Sequence, residues 1–311
     1  SPALGTIGDF FMANDIDLRQ AFLLIYKNRF RIILITSAFF ILSIIYSLTL
    51  PNIYKSQVIV VLNDDSTNLS NIASQIGGVS AIAGLSLPFL DSGEKKSDDA
   101  IEILKSLTFF ERFINKKDFY LAFSASEGWD KSSGSLIFDE DVYDINQNKW
   151  VSTEPFSVNG KPSLQEVYID FHEDNFQIAK DPLSGHLFLS IEHFSPQVAK
   201  ESLEAIILEM NELERENDID NAEQSIKFLE EQMIKTNLSE VRIALSSLVQ
   251  EQVKKVMVAK SSKDYLFKVL SFPYASEEKD SPSRVVIVIS ITLFSFLMSC
   301  LFFIFFPYIK K

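Results

Sequence analysis

The sequence predicts an α+β membrane protein in which two terminal transmembrane helices flank a membrane-proximal base with a mixed sheet and a long helical hairpin. Two runs lack any charged residue, 19 residues at 32–50 and 22 residues at 285–306. At about 1.5 Å per residue they reach roughly 28 and 33 Å, enough to cross a bilayer core. Between them, alternating apolar residues predict strands, and heptad spacing near 219–233 predicts the hairpin.

Charges beside the two runs predict their orientation. Basic residues lie just outside the pair, at Lys27, Arg29, Arg31, Lys310 and Lys311. The inner flanks carry fewer, so the positive-inside rule places both termini in the cytoplasm. A signal peptide is the alternative for the first run, but the run is longer than an h-region and Pro51 follows it without a small-x-small cleavage pattern.

Domain boundaries follow from these spans. We expect the following segments: a cytoplasmic N-terminal segment at 1–31, a transmembrane helix at 32–50, a periplasmic domain at 51–284, a transmembrane helix at 285–306 and a cytoplasmic tail at 307–311. Within the periplasmic domain, the base takes 51–194 and 265–284, and the hairpin takes 195–264.

The composition of the domain restricts its partners and its compartment. From Pro51 to Arg284 it holds 39 acidic and 23 basic residues. Such a surface repels polynucleotides, so we expect no nucleic-acid partner. The single cysteine, Cys300, lies inside the second span, so the domain has no disulfide. A disulfide-free outer domain is typical of the bacterial periplasm.

Local patterns predict the elements of the base. Strands are expected at 54–62, 176–179, 187–191 and 265–272, and Val167, Ile169 and Phe171 alternate as in another strand. One amphipathic helix is expected from Ser97, its N-cap, to Lys117, and its apolar face holds Ile101, Leu104, Leu107, Phe110 and Ile114. An interfacial helix is expected at 15–31 and a small-residue loop at 66–93. Residues 119–162 are acidic and rich in turn residues, and they predict little regular structure.

A long helix is predicted to begin at Ser195-Pro196, an N-cap followed by proline at the first helical position. Its apolar residues Ile219, Ala222, Ile226, Leu229 and Met233 follow heptad spacing. Residues 236–239 interrupt the pattern, and a shorter helix resumes it, which predicts the hairpin. The stripe packs either only against this returning helix or also against a neighbouring subunit.

Two prolines precede the second span. Pro273 and Pro282 fix their own φ angles and favour extended residues before them, so the step between them is expected to be a stiff strut. Arg284 is expected to anchor the outer end of the second helix at the membrane interface. The alternative is that the prolines only terminate the preceding strand.

Catalytic and cofactor signatures are absent from the sequence. It contains no Walker, Rossmann, nucleophile-elbow, zincin or C-x-x-C motif. His172, His186 and His193 are interpreted as ordinary strand or turn residues, and the acidic residues at 139–144 as a solvated loop, because they lack the glycine and third oxygen of a calcium loop. We therefore expect no catalytic, cofactor or metal site, and no enzyme.

The order of these features resembles the chain-length determinant (Wzz-type) polysaccharide co-polymerases. The resemblance rests on LTLPNIYKSQVIV at the end of the first span, ASQIGGVSAIAGL, the helix AIEILKSLTFFERFI, and FKVLSFPYASEEKDSPSRVVIV before the second span. It covers roughly Asp15 to Lys311, but residues 119–165 have no counterpart. The family's usual Asp-Pro-Ala and Pro-Glu-Lys-Pro runs are replaced by Phe272-Pro273-Tyr274-Ala275 and the segment that follows it.

The resemblance implies a bacterial inner-membrane regulator of surface polysaccharide length, such as that of O-antigen in lipopolysaccharide. It implies a ring-like homo-oligomer that acts with a membrane-embedded polymerase and encounters lipid-linked glycan and membrane lipid. The alternative is a receptor with a periplasmic ligand-binding domain. A receptor needs an output module, and only the expected tail at 307–311 follows the second run.

Overall fold

The computed structural model describes residues 24–63, 92–153 and 155–309. The chain divides into a terminal unit that contains both terminal helices and a central unit, Ile53–Lys279. The expected interfacial helix at 15–31 lies mostly outside the described residues, and the expected loop at 66–93 lies almost entirely outside them.

The elements of the chain follow one another in this order: α1 Arg29–Thr49, β1 Tyr54–Leu62, α2 Ser92–Leu104, α3 Leu107–Ile114, α4 Phe119–Ala125, β2 Ser126–Trp129, β3 Leu136–Phe138, β4 Tyr143–Asp144, β5 Lys149–Trp150, α5 Leu164–Asp170, a π-helical turn Phe171–Asn175, β6 Phe176–Lys180, β7 Leu187–His193, α6 Pro196–Lys235, α7 Ser239–Ser261, β8 Phe267–Ser271 and α8 Arg284–Ile309. This order confirms the predicted α+β class with a helical hairpin between β7 and β8.

The principal sheet has the strand order β6-β7-β1-β8. Val58 and Val60 of the central strand pair with Leu189 and Leu187 of β7, and all four side chains are fully buried. The sheet is antiparallel throughout the described chain, so the predicted mixed sheet was wrong in this respect. Strand β1 runs antiparallel to both of its neighbours. The alternation of apolar residues along one strand does not show the direction of its neighbours.

A cluster of phenylalanines forms the centre of the core beside the sheet. The ring centroid of Phe171 lies 5.2 Å from that of Phe110, 5.5 Å from that of Phe113 and 4.9 Å from that of Phe123. The ring of Phe176 on β6 stacks on Phe171 at 5.5 Å. Each buried ring of this kind contributes about 1.5–3 kcal/mol. The cluster therefore joins α3, α4, the π-helical turn and the sheet.

The helix predicted from Ser97 to Lys117 is divided in two. Helix α2 ends at Leu104, and Ser106 begins α3 by accepting a hydrogen bond from the backbone N–H of Phe109. Leu107 was expected on the buried face, but it is exposed because the break rotates the second helix relative to the first. Ser97 lies inside α2, so it does not cap it. The serine at 106 carried the signal for the break, since serine favours N-cap positions.

The strand predicted from Val167 to Phe171 is also wrong. Ser163 caps α5 by accepting from the N–H of Glu166, and Val167 and Phe171 are buried one helical turn apart. Ile169 is exposed. Apolar residues at i, i+2 and i+4 satisfy the strand pattern, but positions i and i+4 also share a helix face, and here the cap selects the helix.

Residues 119–162 contain more regular structure than their sequence predicts. They form α4 and two small antiparallel pairs, β2 with β3 and β4 with β5. Trp129 on β2 packs edge-on against Tyr54 of β1, with ring centroids 5.4 Å apart. Strands of two to four residues are too short to show alternation, so the sequence carries no periodic signal for them. Aromatic contacts hold these strands in place.

The terminal helices are long and apolar enough to cross a membrane, with mean hydropathy of 2.3 at Arg29–Thr49 and 2.6 at Arg284–Ile304. They pack against each other, and the most buried positions include Ser43 and Ser47 on α1 and Ser295 and Ser299 on α8. Small residues of this kind permit close approach of helix backbones in a bilayer. The two runs predicted to span a membrane therefore form helices that pack as a pair.

His193 ends β7 in a fully buried position that requires a neutral ring. Its Nε2–H donates to the carbonyl of Ala122 at 3.0 Å, and its Nδ1 accepts from the N–H of Ser195 at 3.0 Å. Burial lowers the pKa of His193 to about 4. The unfolded chain, with an ordinary histidine pKa near 6.5, binds a proton first as pH falls. Stability is therefore fully present above about pH 6.5 and is lost as pH falls toward 4.

We predict that His193→Asn, which keeps an acceptor for the N–H of Ser195, flattens this pH dependence. Between pH 7.5 and 4.5 the parent should lose roughly 3 kcal/mol of unfolding free energy more than the variant loses. Urea unfolding of the full chain in detergent at both pH values measures the difference. The control, His186→Asn in the turn between β6 and β7, should retain the parent's slope. Equal slopes for the parent and His193→Asn would contradict the assignment of a buried neutral histidine.

Candidate functional site: the helical hairpin and its junction with the sheet

The inner half of α6 belongs to the core. Ser195 accepts from the N–H of Val198, and Pro196 occupies the first turn, as the sequence predicts. The apolar residues Ala199, Leu203, Ile206 and Met210 recur at helical spacing and are fully buried. They face β1 and β7, which α6 contacts. The sheet therefore fixes the direction in which the helix continues.

Asn211 joins this helix to the edge strand β8. Its Nδ2 donates to the carbonyl of Phe267 at 3.3 Å, and its Oδ1 accepts from the N–H groups of Leu266 and Phe267 at 2.8 and 2.7 Å. The residue is only 4% exposed. A buried amide is costly unless it is paired, and this one is paired at both ends. The contact ties the long helix to the strand that follows the hairpin.

Arg215 lies one turn further along and closes the base of the hairpin. Its Nε donates to the carbonyl of Ala259 at 3.0 Å, and its Nη2 donates to those of Ser262 and Lys263 at 2.9 and 3.1 Å. Helix α7 ends at Ser261, where carbonyl groups lack helical partners and the helix dipole is negative. A guanidinium fits this position in both hydrogen bonding and charge.

Asp218 completes the same face of α6. Its carboxylate accepts from Lys255 Nζ at 2.5 Å and from the Tyr265 hydroxyl at 2.6 Å. We call Asn211, Arg215 and Asp218 the junction. They lie at successive steps of four and three residues, so they form one stripe that contacts β8, the end of α7 and the link between them. The nearby Glu214 has a raised pKa because of its burial and the charge of Asp218.

A second set of contacts holds α3 against α6. Glu209, only 7% exposed, pairs with Arg112 and with Lys116 Nζ at 3.1 Å. Arg112 Nη1 also contacts Glu216 at 2.8 Å. These carboxylates hold the pKa of Arg112 above its ordinary value, and Arg112 lowers the pKa of Glu216. A buried carboxylate needs such partners, because breaking a buried pair costs about 3–5 kcal/mol.

The outer half of the hairpin contains the predicted heptad stripe. Ala222 is fully buried, and the other predicted positions are partly buried: Ile219, Ile226, Leu229 and Met233. Helix α7 contacts α6, so the returning helix covers part of the stripe. Beyond Ala222, no residue of α6 is buried, and Ala259 is the only buried residue of α7.

A set of exposed apolar residues lies on this outer half, and sequence reasoning missed half of it. We call it the outer apolar set, and its members are Ile234, Leu238, Val241, Ile243, Val253 and Met257. Ile234 is 83% exposed. The sequence pattern placed Val241, Val253 and Met257 in the packing stripe of the returning helix, and the structure leaves all three exposed. The other three lie outside the heptad positions, and a count of apolar residues outside those positions would have found them.

The predicted strut between Pro273 and Pro282 begins in the central unit and ends in the terminal unit. Pro273 is buried, and the hydroxyl of Ser56 on β1 donates to the carbonyl of Tyr274 at 2.9 Å. The backbone bends at Glu277 and Glu278. Pro282 and Arg284 belong to the terminal unit, where Arg284 Nη2 donates to the carbonyl of Leu50 at 3.3 Å and to Asn52 Oδ1 at 3.1 Å. Arg284 therefore joins the ends of α1 and α8.

The acidic residues and histidines of the described chain are not arranged as metal ligands. Within residues 24–63, 92–153 and 155–309, no group of three or more His, Cys, Asp or Glu residues is placed to hold a metal ion. In the acidic loop, Asp139 Oδ1 accepts from the N–H of Asp141 at 2.8 Å, and Asp144 Oδ1 accepts from the N–H groups of Asn146 and Gln147. These carboxylates cap turns. His172 and His186 lie in the π-helical turn and in the turn before β7.

The described chain thus has paired terminal helices that are apolar and long enough to cross a membrane, and an α+β unit that contains a helical hairpin. Residues 14–117 match the model of the Wzz family, described as chain length determinant protein. The resemblance predicted from the sequence is confirmed over this segment, which includes Leu50–Val58 and Ala100–Ile114. The third predicted segment of resemblance, Phe267–Val288, lies outside the match and stays a prediction.

Solved structures similar to the chain include two co-polymerases. A full-length bacterial polysaccharide co-polymerase is 12% identical with a TM-score of 0.40, and the match covers 96% of this chain and 98% of that one. A fragment of WzzB, a polysaccharide co-polymerase from Salmonella Typhimurium, is 10% identical with a TM-score of 0.35, and the match covers 74% of this chain and all of that one. No curated protein sequence matches the chain.

We predict that Asn211→Leu loosens the hairpin at its junction. The substitution leaves the N–H groups of Leu266 and Phe267 without their acceptor, which should cost about 2–4 kcal/mol of unfolding free energy. Hydrogen exchange should become faster at those two amides before it does so in β1. Asn237→Leu, an exposed change between the two helices, is the control and should alter stability by less than about 0.5 kcal/mol. Unchanged protection at 266–267 would show that Asn211 does not hold the strand.

Proposed function

We propose that this chain is a non-enzymatic regulator of surface polysaccharide chain length in the bacterial inner membrane. The observation that carries the proposal is the match of residues 14–117 to the chain length determinant family. Two helices able to span a membrane, at the two ends of the described chain, are consistent with it. The polymer we favour is O-antigen of lipopolysaccharide.

The proposed topology places both termini in the cytoplasm and residues 51–284 in the periplasm. Lys27 just before α1, with Arg29 and Arg31 in its first turn, supports this orientation by the positive-inside rule. The contact of Arg284 with Leu50 and Asn52 gathers polar groups at one end of the helix pair, where an interface can solvate them.

We propose that the protein acts as a ring-like homo-oligomer whose subunits contact through the outer half of the hairpin. Two helices alone have one shared seam, and isolated helices are marginal in water. Here the fully buried residues of α6 end at Ala222, while the outer apolar set is exposed. Exposed apolar patches of this kind mark interaction sites. A neighbouring copy would bury these side chains and the partly exposed members of the heptad stripe.

The further proposed partners are the membrane-embedded polymerase, lipid-linked glycan and membrane lipid. Coordination with a polymerase in the same bilayer requires that the assembly control the position of its spans. The segment between Pro273 and Pro282 is proposed to transmit this geometry. At its start the hydroxyl of Ser56 donates to the carbonyl of Tyr274, and after its end Arg284 donates to the carbonyl of Leu50.

Deletion of the gene should change the length distribution of the surface polysaccharide on a gel, and the parent gene should restore it. We predict that the double variant Ile234→Glu/Ile243→Glu inserts and accumulates normally but forms a smaller complex in detergent and broadens the polymer distribution. Two charges placed on a surface that should be buried cost several kcal/mol per contact. The mass of the solubilised complex measures assembly directly.

Leu183→Glu is the matched control, because Leu183 is 96% exposed in the turn between β6 and β7. It adds a charge to an apolar surface position outside the hairpin and should leave both mass and polymer length unchanged. A polysaccharide profile that deletion does not alter would refute the proposed function. A double variant with the parent's complex mass would refute the proposed assembly surface.

A further inference from the structure

Arg284 places a positive charge where α1 ends and α8 begins. It is the only basic residue of the terminal unit within 32–52 and 280–309. Its Nη2 donates to the carbonyl of Leu50 at 3.3 Å and to Asn52 Oδ1 at 3.1 Å. These two hydrogen bonds hold the guanidinium at the shared end of the helix pair.

The guanidinium is only partly satisfied by the protein. It has five N–H groups, and the two on Nη2 are used. In the part of the chain that the structure describes, neither Nε nor Nη1 has a partner, and Nε is buried. No carboxylate of the described residues forms an ion pair with Arg284, and this includes Asp280, four residues earlier. A partly buried charge is costly without a counter-charge, so the arrangement calls for an anion.

The first turn of α8 adds to the effect of this charge. The N–H of Ile287 donates to the carbonyl of Ser283 at 3.2 Å, and the N–H groups before it precede the helical hydrogen-bond pattern. Val285 and Val286 are 71% and 60% exposed, so this turn is open to its surroundings. The start of a helix is the positive end of its dipole. The side chain and the backbone of this turn therefore favour the same kind of ligand.

The surroundings of Arg284 indicate which anion fits. A guanidinium matches the oxygens of a phosphate in geometry as well as in charge. The adjoining helix surfaces are apolar and exposed, with Leu48 at 63%, Tyr46 at 55% and Ile289 at 59%. A phospholipid presents a phosphate directly beside hydrocarbon chains, whereas a soluble anion has no apolar part to cover these side chains. One cation at the end of an apolar helix pair therefore fits a phospholipid best.

We propose that Arg284 and the first turn of α8 bind the phosphate of a membrane phospholipid, whose acyl chains lie along the exposed apolar side chains of the helix pair. The lipid phosphate supplies the counter-charge that the described chain lacks, and Nη1 donates to its oxygens. The inference rests on the proposed membrane location. It deepens that proposal, because it assigns a specific headgroup site to one residue instead of a general contact with lipid.

The test uses the full chain in maltoside detergent, washed free of lipid and titrated with phosphatidylglycerol. Native mass spectrometry counts the bound lipids and gives the affinity of the tightest one. Arg284→Gln keeps an N–H donor for Leu50 and Asn52 but removes the charge, so this affinity should fall at least about tenfold. Arg284→Lys keeps the charge without the planar fork and should weaken binding about three- to tenfold. Lys268→Gln, which removes an exposed cation from β8, is the matched control and should keep the parent's affinity within about twofold.

Three further probes identify the group that is recognised. Phosphatidylethanolamine shares the phosphate and should show the same dependence on Arg284. Diacylglycerol lacks the phosphate and should bind the parent more weakly than phosphatidylglycerol does, a comparison that requires no variant. Excess inorganic phosphate should not displace the lipid. Equal affinity of the parent for phosphatidylglycerol and diacylglycerol, or equal lipid affinity of the parent and Arg284→Gln, overturns the inference. Displacement by inorganic phosphate assigns the site to a free anion and overturns it also.

The outcome is separate from that of the gene deletion. Weakened lipid binding in the two Arg284 variants, together with an unchanged polymer length after deletion, leaves the lipid site standing and removes the proposed function. A changed polymer length after deletion, with full lipid binding by the Arg284 variants, does the reverse.

Discussion

The continuity of α6 is the constraint on which the rest of the central unit depends. One helix of 40 residues, about 60 Å long, packs its first half on the sheet, and beyond Asp218 it packs on α7. Asn211 lies where these environments meet, and its three hydrogen bonds set the edge strand β8 against the helix. Because the helix is unbroken there, the sheet determines where the hairpin begins and in which direction it extends.

The segment that carries the family match is joined to the hairpin by packing and by charge. Arg112 and Lys116 of that segment pair with Glu209, and Phe110 and Phe113 pack on Phe171. A change in α3 would therefore shift the inner half of α6. The junction residues Arg215 and Asp218 extend the same coupling to the end of α7. The base, the inner half of α6 and the junction are thus packed together. The outer half of the hairpin has no comparable contact with the base.

Strong periodicity made most of the fold predictable. The spans, the strand β1, the hairpin of β6 and β7, and the two long helices each have enough residues for a pattern to dominate. The break at Ser106 and the helix at 164–170 were missed, because a local cap decided between two patterns that the apolar residues allow equally. The strands at 126–150 were missed because each has only two to four residues, and their partners are aromatic rings distant in sequence, such as Tyr54.

The candidate site was predictable only in part. Ala222 and its heptad neighbours showed where α6 meets α7, since spacing along one helix reveals a seam. An open groove between the helices is lined by residues of both, such as Phe228 and Gln252, which the turn of the hairpin separates in sequence. No spacing rule connects them until the register of the two helices is known. The junction has the same character, because Asn211 acts on a strand 55 residues later in the chain.

Hydrogen exchange along 196–261 in the full-length protein tests the central claim most directly. The protein would be compared as assembled complex and after dilution in detergent to the monomer. The account predicts strong protection at 199–211 in both states, and protection at 223–258 only in the assembled state, because the outer half lacks a buried face of its own. Equal protection of the outer half in the monomer would contradict the claim that the outer hairpin depends on a neighbour.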